Sequence, residues 1–334
     1  MSDPAVVYES VRAEVGEVLI GKADVVEGIT IALLTRGHVL MEGVPGVAKT
    51  TIANLFTRAA GLDYARIQMT PDVLPADITG THVYREATGE FELAKGPIFA
   101  NVVVADEINR ATPKTQSALL EAMQERQVTI EGETVRLPEP FLVIATQNPI
   151  EMEGTFELPE AQRDRFQTKL TVGLPGHDEE RAVLDRFDAN PTLGPDSIDA
   201  VVTAEELLAA RDAVARVHVD GSIKNYILAL VEATRAHPDV EHGASPRASL
   251  AFLDTAKAAA AIDGRDYAIP DDVKGLAARI LVHRLVLTTD AEVSDVSAAD
   301  VVADVLGSVE PPAGKERADA PAVQDAGEPS EAED

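Results

Sequence analysis

Residues 43–50, GVPGVAKT, and residues 102–107, VVVADE, carry the residue types that handle phosphate and a divalent cation. A phosphate-binding loop needs glycines so that successive backbone N–H groups can turn inward, a lysine that reaches the β and γ oxygens, and a hydroxyl for Mg2+. Gly43, Gly46, Lys49 and Thr50 fill those roles, with Val44, Pro45, Val47, Ala48 and Thr51 completing the cradle. Glycine usually stands before the lysine; here Ala48 does, so the pattern is missed by one methyl group. A plain glycine turn is the alternative reading. In the second segment, Asp106 would hold Mg2+ through water and Glu107 would orient or deprotonate an attacking water. The alternative there is an ordinary strand ending in a solvated acidic turn.

The neighbouring residues supply the elements such a site requires. The apolar run His38–Met41 suits a buried parallel strand, and Thr50–Ala60 has helical spacing ending at Gly61, which puts phosphate at a helix N-terminus. Asn101–Ala105 is a β-branched run of the kind covered on both faces, and it delivers Asp106 and Glu107 at its C-terminal end. Val6–Val18 and Asp24–Arg36 are helical in spacing, Ala65–Met69 is a short strand candidate, and Thr70–Gly80 reads as a loop. Val83–Glu92 alternates around Thr88 and Gly89 as a β-hairpin would. Thr112 can N-cap a helix whose first position is Pro113, with Ala118, Leu119, Ala122 and Met123 as its buried stripe. Phe141–Ala145 is a further buried strand, ending at Thr146, Gln147 and Asn148. Strands and helices in this alternation predict a parallel sheet with helices on both faces.

Beyond about Leu174 helical periodicity takes over and strand signals vanish. Ala204–Val217, Ser222–Ala236, Pro246–Ile262, Asp271–Val286 and Ala298–Leu306 form a series consistent with a second, all-α domain. Residues 311–334 are rich in Pro, Ala and acid with few large apolar side chains, which predicts disorder.

Composition narrows the function classes. The absence of cysteine excludes disulfides, thiolate nucleophiles and Cys-based zinc sites, and the histidines at 38, 82, 177, 218, 237, 242 and 283 show no metal-ligand spacing. With no apolar stretch of spanning length and no basic-then-apolar leader, a soluble cytoplasmic protein is expected, with no membrane insertion. The formal net charge of −28 self-repels unless salt screens it, and at about 1 M ionic strength the Debye length is only ~3 Å. That charge, with arginine outnumbering lysine, predicts adaptation to high salt of the haloarchaeal kind; an ordinary acidic cytosolic protein with a disordered tail is the alternative. No basic stripe is visible, so nucleic acid is a poor partner.

Taken in order, GVPGVAKT, TPDVLPADITG, GPIFANVVVADEINRA, KTQSALLEAMQE, ATQNP, GTFELPEAQ with DRF, and ASPRAS resemble the signature segments of the AAA+ ATPases of the MoxR type. The resemblance covers about residues 5–310 and implies an α/β fold: an αβα parallel-sheet nucleotide-binding domain over 1–175, a helical lid domain over 176–310, and an acidic tail over 311–334. Asn148 corresponds to the family's sensor 1, its amide suited to position the attacking water; an asparagine that merely shapes a turn before Pro149 is the alternative. Arg165 matches the arginine finger supplied by a neighbouring subunit; a salt-bridge partner at a helix end is the alternative, and the one the residue alone would favour. Arg163 stands where the family usually has an apolar residue, which leaves open which of the two arginines acts. Arg247, in the first turn of a helix after Pro246, matches sensor 2, which reaches from the lid to the γ-phosphate. Arg110 is either another interface residue or a surface salt bridge. Leu19–Lys22, with Gly21, corresponds to the segment that packs on adenine.

The resemblance implies an ATP- and Mg2+-dependent ATPase assembled as a homo-oligomer, a hexameric ring, that drives remodelling or maturation of a client protein. It also implies a partner with a von Willebrand factor A domain. The hairpin at Val83–Glu92 corresponds to the family's helix-2 insert, directed at the ring's centre, and no clear aromatic threading residue is expected on it. Three rivals stand beside this reading. The first is a helix-2-insert motor of metal chelation or of a nucleic-acid machine. The second is a nucleotide-gated scaffold with little turnover, against which the intact Glu107 and Arg165 argue. The third is a small-molecule kinase, which would need neither Arg165 nor Arg247.

Overall fold

The structure, a computed structural model, describes residues 2–86, 89–148 and 155–312. In chain order it runs through helices α1 (Pro4–Gly16) and α2 (Ala23–Leu34), strand β1 (Val39–Glu42), helix α3 (Lys49–Ala59), strand β2 (Tyr64–Gln68), helix α4 (Pro75–Thr79) and the hairpin of β3 (Gly80–Arg85) and β4 (Glu90–Lys95). Strand β5 (Val102–Asp106), helix α5 (Pro113–Glu125), the hairpin of β6 (Gln127–Ile130) and β7 (Glu133–Arg136), strand β8 (Leu142–Gln147), helix α6 (Glu160–Arg163) and strand β9 (Thr168–Thr171) follow. The remainder is α7 (His177–Ala189), α8 (Ala204–Ala215), α9 (Gly221–Ala236), β10 (Val240–His242), α10 (Pro246–Ile262), α11 (Pro270–Leu281), β11 (Val286–Leu287), α12 (Thr289–Val293) and α13 (Ala298–Ser308).

Strand order β2-β5-β8-β1-β9 makes a five-stranded sheet, and every pairing in it is parallel. The expected parallel sheet is therefore present. Its apolar strands are sorted by the two-residue period of the chain: Val102, Val104, Leu142 and Ile144 enter a core shared with α1, α2, α3 and the C-terminal helices, while Val103, Ala105, Val143 and Ala145 enter a second core under α5. Both faces being covered explains why these runs are continuously apolar.

The first core does not stop at the sheet. Val7 and Val11 of α1 and Ile29 of α2 belong to one continuous cluster with Leu207, Phe252, Ile280 and Val301, so the C-terminal helices lie against the N-terminal pair. No helix among the described residues is long and apolar enough to cross a membrane.

Two expectations about the elements are corrected, and two further elements are ones the sequence pattern does not announce. Thr70–Gly80 is not all loop, because Pro75 starts helix α4 at its first turn and the Asp77 carboxylate accepts from the Leu74 N–H at 2.9 Å. The hairpin β6–β7 was not expected; its turn places Glu131 and Gly132 at φ 50° and 95°, the paired left-handed residues of a tight hairpin. Strand β9 also went unread, since TKLT has two threonines and a lysine, yet it pairs along the whole of β1. In the C-terminal half strand signals do not vanish: β10 and β11 pair antiparallel.

The hairpin expected at Val83–Glu92 spans Gly80–Lys95, and it does carry aromatics. Tyr84 and Phe91 are cross-strand partners with ring centroids 5.3 Å apart, and they are 53% and 70% exposed. Thr88 of its expected turn lies outside the described residues, as do Pro149 and residues 313–334 of the expected tail.

Candidate active site

The phosphate loop is fixed by close packing on one side and by unusual backbone angles on the other. A Cβ on Gly43 would stand 2.5 Å from the Val172 carbonyl oxygen, so only glycine fits between β1 and the chain after β9. Gly46 has φ +87°. Ala48, where glycine is usual, holds φ 61° and ψ 24° as the residue that opens α3. An L-residue in that left-handed region costs about 1–2 kcal/mol. Helix α3 is pinned beneath the loop by buried Ile52, Leu55 and Phe56, so its N-terminal N–H groups point at the loop's interior. The Lys49 ammonium donates to the Gly43 carbonyl and, at 3.2 Å, to that of Val44, which folds the lysine back over the loop it serves.

Strand β5 ends beside this loop. The Thr50 hydroxyl approaches Asp106 Oδ2 at 3.3 Å, and the Thr146 hydroxyl, from adjacent β8, donates to Asp106 Oδ1 at 2.6 Å. The same Thr146 oxygen accepts the Glu107 N–H at 2.9 Å. That bond holds Glu107 at φ 58° and ψ 53°, a conformation rare for glutamate that turns its side chain away from the strand direction. Gln68 Nε2 then donates to Glu107 Oε2 at 3.0 Å, and Arg110 Nη1 meets the same oxygen at 3.2 Å. Arg66 Nε donates to Asp106 Oδ2 at 3.0 Å.

These groups surround one cavity of about 450 Å3, lined by residues 45–51, Asp106, Glu107 and the stretch Thr146, Gln147 and Asn148. Asn148 is 8% exposed, directly after β8, which neighbours β5. The donor set suits Mg2+: a hydroxyl and a carboxylate oxygen, both hard ligands, converge at Thr50 and Asp106. No group of three or more His, Asp or Glu side chains able to hold a metal occurs among the described residues.

Three predicted site residues lie elsewhere. Gly21 does not line the cavity; the Glu179 carboxylate of α7 covers it, so closely that a Cβ there would be 1.9 Å from Oε1. Arg165 and Arg247 share a different cavity, with no lining residue in common with the first. Arg165 Nη1 donates to the Leu120 carbonyl at 3.0 Å, and Arg247 Nη1 sits 3.8 Å from Asp164 Oδ2. Arg247 therefore does not reach the phosphate loop of its own chain in this arrangement. Arg163 also stays away from that cavity, and its Nε is buried without a hydrogen-bond partner.

Asp164 is the centre of this second region. It accepts from Ser245 Oγ at 2.9 Å and from Arg284 Nε at 2.8 Å, so one carboxylate between α6 and β9 ties the sheet to α10 and to the end of α11. Burial pushes the Arg284 guanidinium below its ordinary range, with Asp164 opposing the shift. Sequence reasoning missed Asp164, Arg66, Gln68 and Thr146. A signal existed for two of them: in YARIQ the two-residue period puts Arg66 and Gln68 on one face at the end of β2 that adjoins Asp106.

Comparison with known proteins agrees with this geometry. The ATPase family associated with various cellular activities (AAA) matches residues 38–168, and the AAA lid domain matches residues 232–305. The chain is 45% identical to Chaperone MoxR1 of Mycobacterium tuberculosis, over 89% of this chain and 80% of that one. It is also 45% identical to YeaC of Bacillus subtilis, over 89% of this chain and 92% of the relative. A crystal structure of a protein from Cytophaga hutchinsonii superposes with a TM-score of 0.85 at 40% identity, covering 92% of this chain and 96% of the other. Sheet, lid and sequence together show that the chain belongs to the MoxR-type AAA+ ATPases.

Proposed function

We propose that the protein hydrolyses ATP in a homo-oligomeric ring, six-membered by family resemblance, and uses the cycle to remodel or mature a client protein in the cytoplasm. The observation that carries this reading is the convergence of Lys49, Thr50, Asp106, Glu107 and Asn148 on one cavity. In this reading Lys49 and the N–H groups of residues 43–51 bind the β and γ phosphates, and Thr50 and Asp106 hold Mg2+. When bound, that ion neutralises charge on the phosphate oxygens. Glu107, held by Thr146 and Gln68, orients the attacking water and draws on its proton, and Asn148, in the same cavity, helps to position that water.

Arg165 and Arg247 are proposed to act on a neighbour's nucleotide. Their shared cavity, apart from the phosphate loop of their own chain, supports this assignment, and it favours Arg165 as the finger over Arg163, which lines neither cavity. The domain division at about residue 175, a von Willebrand factor A-domain partner and Gly21 beside adenine belong to the same proposal. The exposed Tyr84 and Phe91 pair gives the helix-2 insert an apolar tip suited to a client chain.

Mixing two inactive variants tests the trans arrangement. Arg165→Ala combined with Glu107→Gln creates interfaces in which an intact Glu107 meets an intact Arg165, and ATP turnover should recover in mixed rings. Mixed rings that form and stay inactive would reject Arg165 as the finger.

A further inference from the structure

The chain carries a formal net charge of −28, yet one cavity gathers the opposite sign. This second hollow, of about 390 Å3, is lined by Arg36, Arg126, Arg165, Arg247 and Arg284. Against five guanidinium groups its lining offers two carboxylates, Asp164 and Asp254. Asp164 is already engaged by Arg284, Ser245 and Arg247. His38, also in the lining, contributes no charge at neutral pH, because burial pushes its pKa down to about 3.

Among the described residues no carboxylate bonds or pairs with the guanidinium of Arg36 or Arg126, and Glu139, outside the lining, acts on Arg126 only through its charge. Arg126 Nη2 donates to the Arg36 carbonyl, while its Nη1 is buried without a hydrogen-bond partner. No hydrogen bond or ion pair holds the Arg36 guanidinium among the described residues. Arg211, only 7% exposed, donates through Nη2 to the Leu33 carbonyl at 2.7 Å, and its Nη1 is likewise buried and unpartnered. Burial, then the charges of Arg36 and Arg126, push Arg211 down to about 10, and Glu139 and Asp212 offset this only in part. Three cations held close, two of them with buried donors unspent and offset only in part by Glu139 and Asp212, gain from a further anion that takes those donors. Guanidinium forks match the oxygens of a phosphoryl group in pairs, and a concave wall of one sign concentrates such anions from solution.

We propose that this hollow is an oxyanion site, formed by Arg36 and Arg126 with Arg211 behind them, that takes a phosphate-class ligand such as pyrophosphate. A free anion and the phosphates of a nucleotide held by a neighbouring copy offer the same chemistry; the second source rests on the ring proposed above, the first does not. The site shares no residue with the phosphate loop cavity and so can be read separately.

The test uses the full-length Lys49→Ala protein, which removes the phosphate loop's lysine. Added pyrophosphate at about a hundredfold its Kd should raise the melting temperature by roughly 3–4 °C, and introducing Arg36→Gln should raise the concentration needed for that shift about tenfold. The Arg36 side chain is exposed and makes no hydrogen bond or ion pair among the described residues, and its carbonyl, which Arg126 uses, is kept in the variant, so that change leaves folding intact. Arg126→Gln is the second variant and should abolish the shift. A rise seen with ATP but not pyrophosphate, weakened by Arg36→Gln and lost on dilution, would assign the same site to a neighbour's nucleotide. A rise that Arg36→Gln and Arg126→Gln leave unchanged, or no rise with either ligand, overturns the proposal.

Discussion

Arg66 and Asp106 share a hydrogen bond of 3.0 Å, and it falls on Oδ2, the carboxylate oxygen that the Thr50 hydroxyl also approaches. The guanidinium therefore competes for the oxygen best placed to face a divalent cation. Two cations on one carboxylate repel, and the Arg66 side chain, half exposed, is free to be replaced or removed. Arg66→Gln should lower the Mg2+ concentration for half-maximal ATP turnover about three- to tenfold. A Mg2+ titration of turnover checks this, and an unchanged or higher requirement would remove Arg66 from the account.

A second expectation concerns the join between sheet and lid. Asp164 is the carboxylate partner of Arg284, which is 3% exposed and otherwise bonded to the carbonyls of Phe166, Gln167 and Ile280. Asp164→Asn leaves that buried charge without its counter-ion and should cost about 3–5 kcal/mol in urea unfolding. Arg247→Gln, breaking only the long 3.8 Å pair of a half-exposed side chain, should cost under about 1 kcal/mol. Similar losses for the two variants would contradict this division of roles.

Stability should also fall on mild acidification. His38 accepts the Val143 N–H through Nδ1 at 3.0 Å and donates from Nε2 to the Met123 carbonyl at 3.1 Å, an arrangement only the neutral ring satisfies. Burial, followed by the Arg126 charge, lowers its pKa to about 3, and burial followed by Arg284 holds His283 well below its ordinary value. With folded values below the unfolded one, the unfolded chain binds more protons below about pH 6.5, so stability is full above that point and declines beneath it. The loss from His38 alone should reach ~2 kcal/mol at pH 5, and His283 adds to it in the same direction. Denaturation midpoints at pH 7, 6 and 5 check it. His38→Asn should reduce the slope, whereas an unchanged slope would place the titration elsewhere.

Much of this architecture is legible in sequence because burial on both faces writes itself as continuous apolar runs, as in VVVAD and LVIAT. The loop is legible despite Ala48, since Gly43, Gly46, Lys49 and Thr50 each answer a separate physical need. Strand β9 is not, because its polar residues are satisfied by pairing with β1 and not by their own pattern. Asp164 is equally silent: its partners Ser245 and Arg284 lie 81 and 120 residues away, and only the folded chain brings them together. The separation of Arg247 from the loop is likewise a property of lid placement, which no local spacing encodes.

Glu107 is assigned to activate water over a nucleotide held by Lys49, and side-by-side binding and turnover measurements on Glu107→Gln decide between this role and a structural one. The geometry gives Glu107 no part in holding the phosphates, so the variant should bind ATP within about threefold of the unmodified protein while turnover falls at least about a hundredfold, as losing a general base requires. Lys49→Ala should lose both. A Glu107→Gln protein that hydrolyses ATP at a near-normal rate would contradict the account.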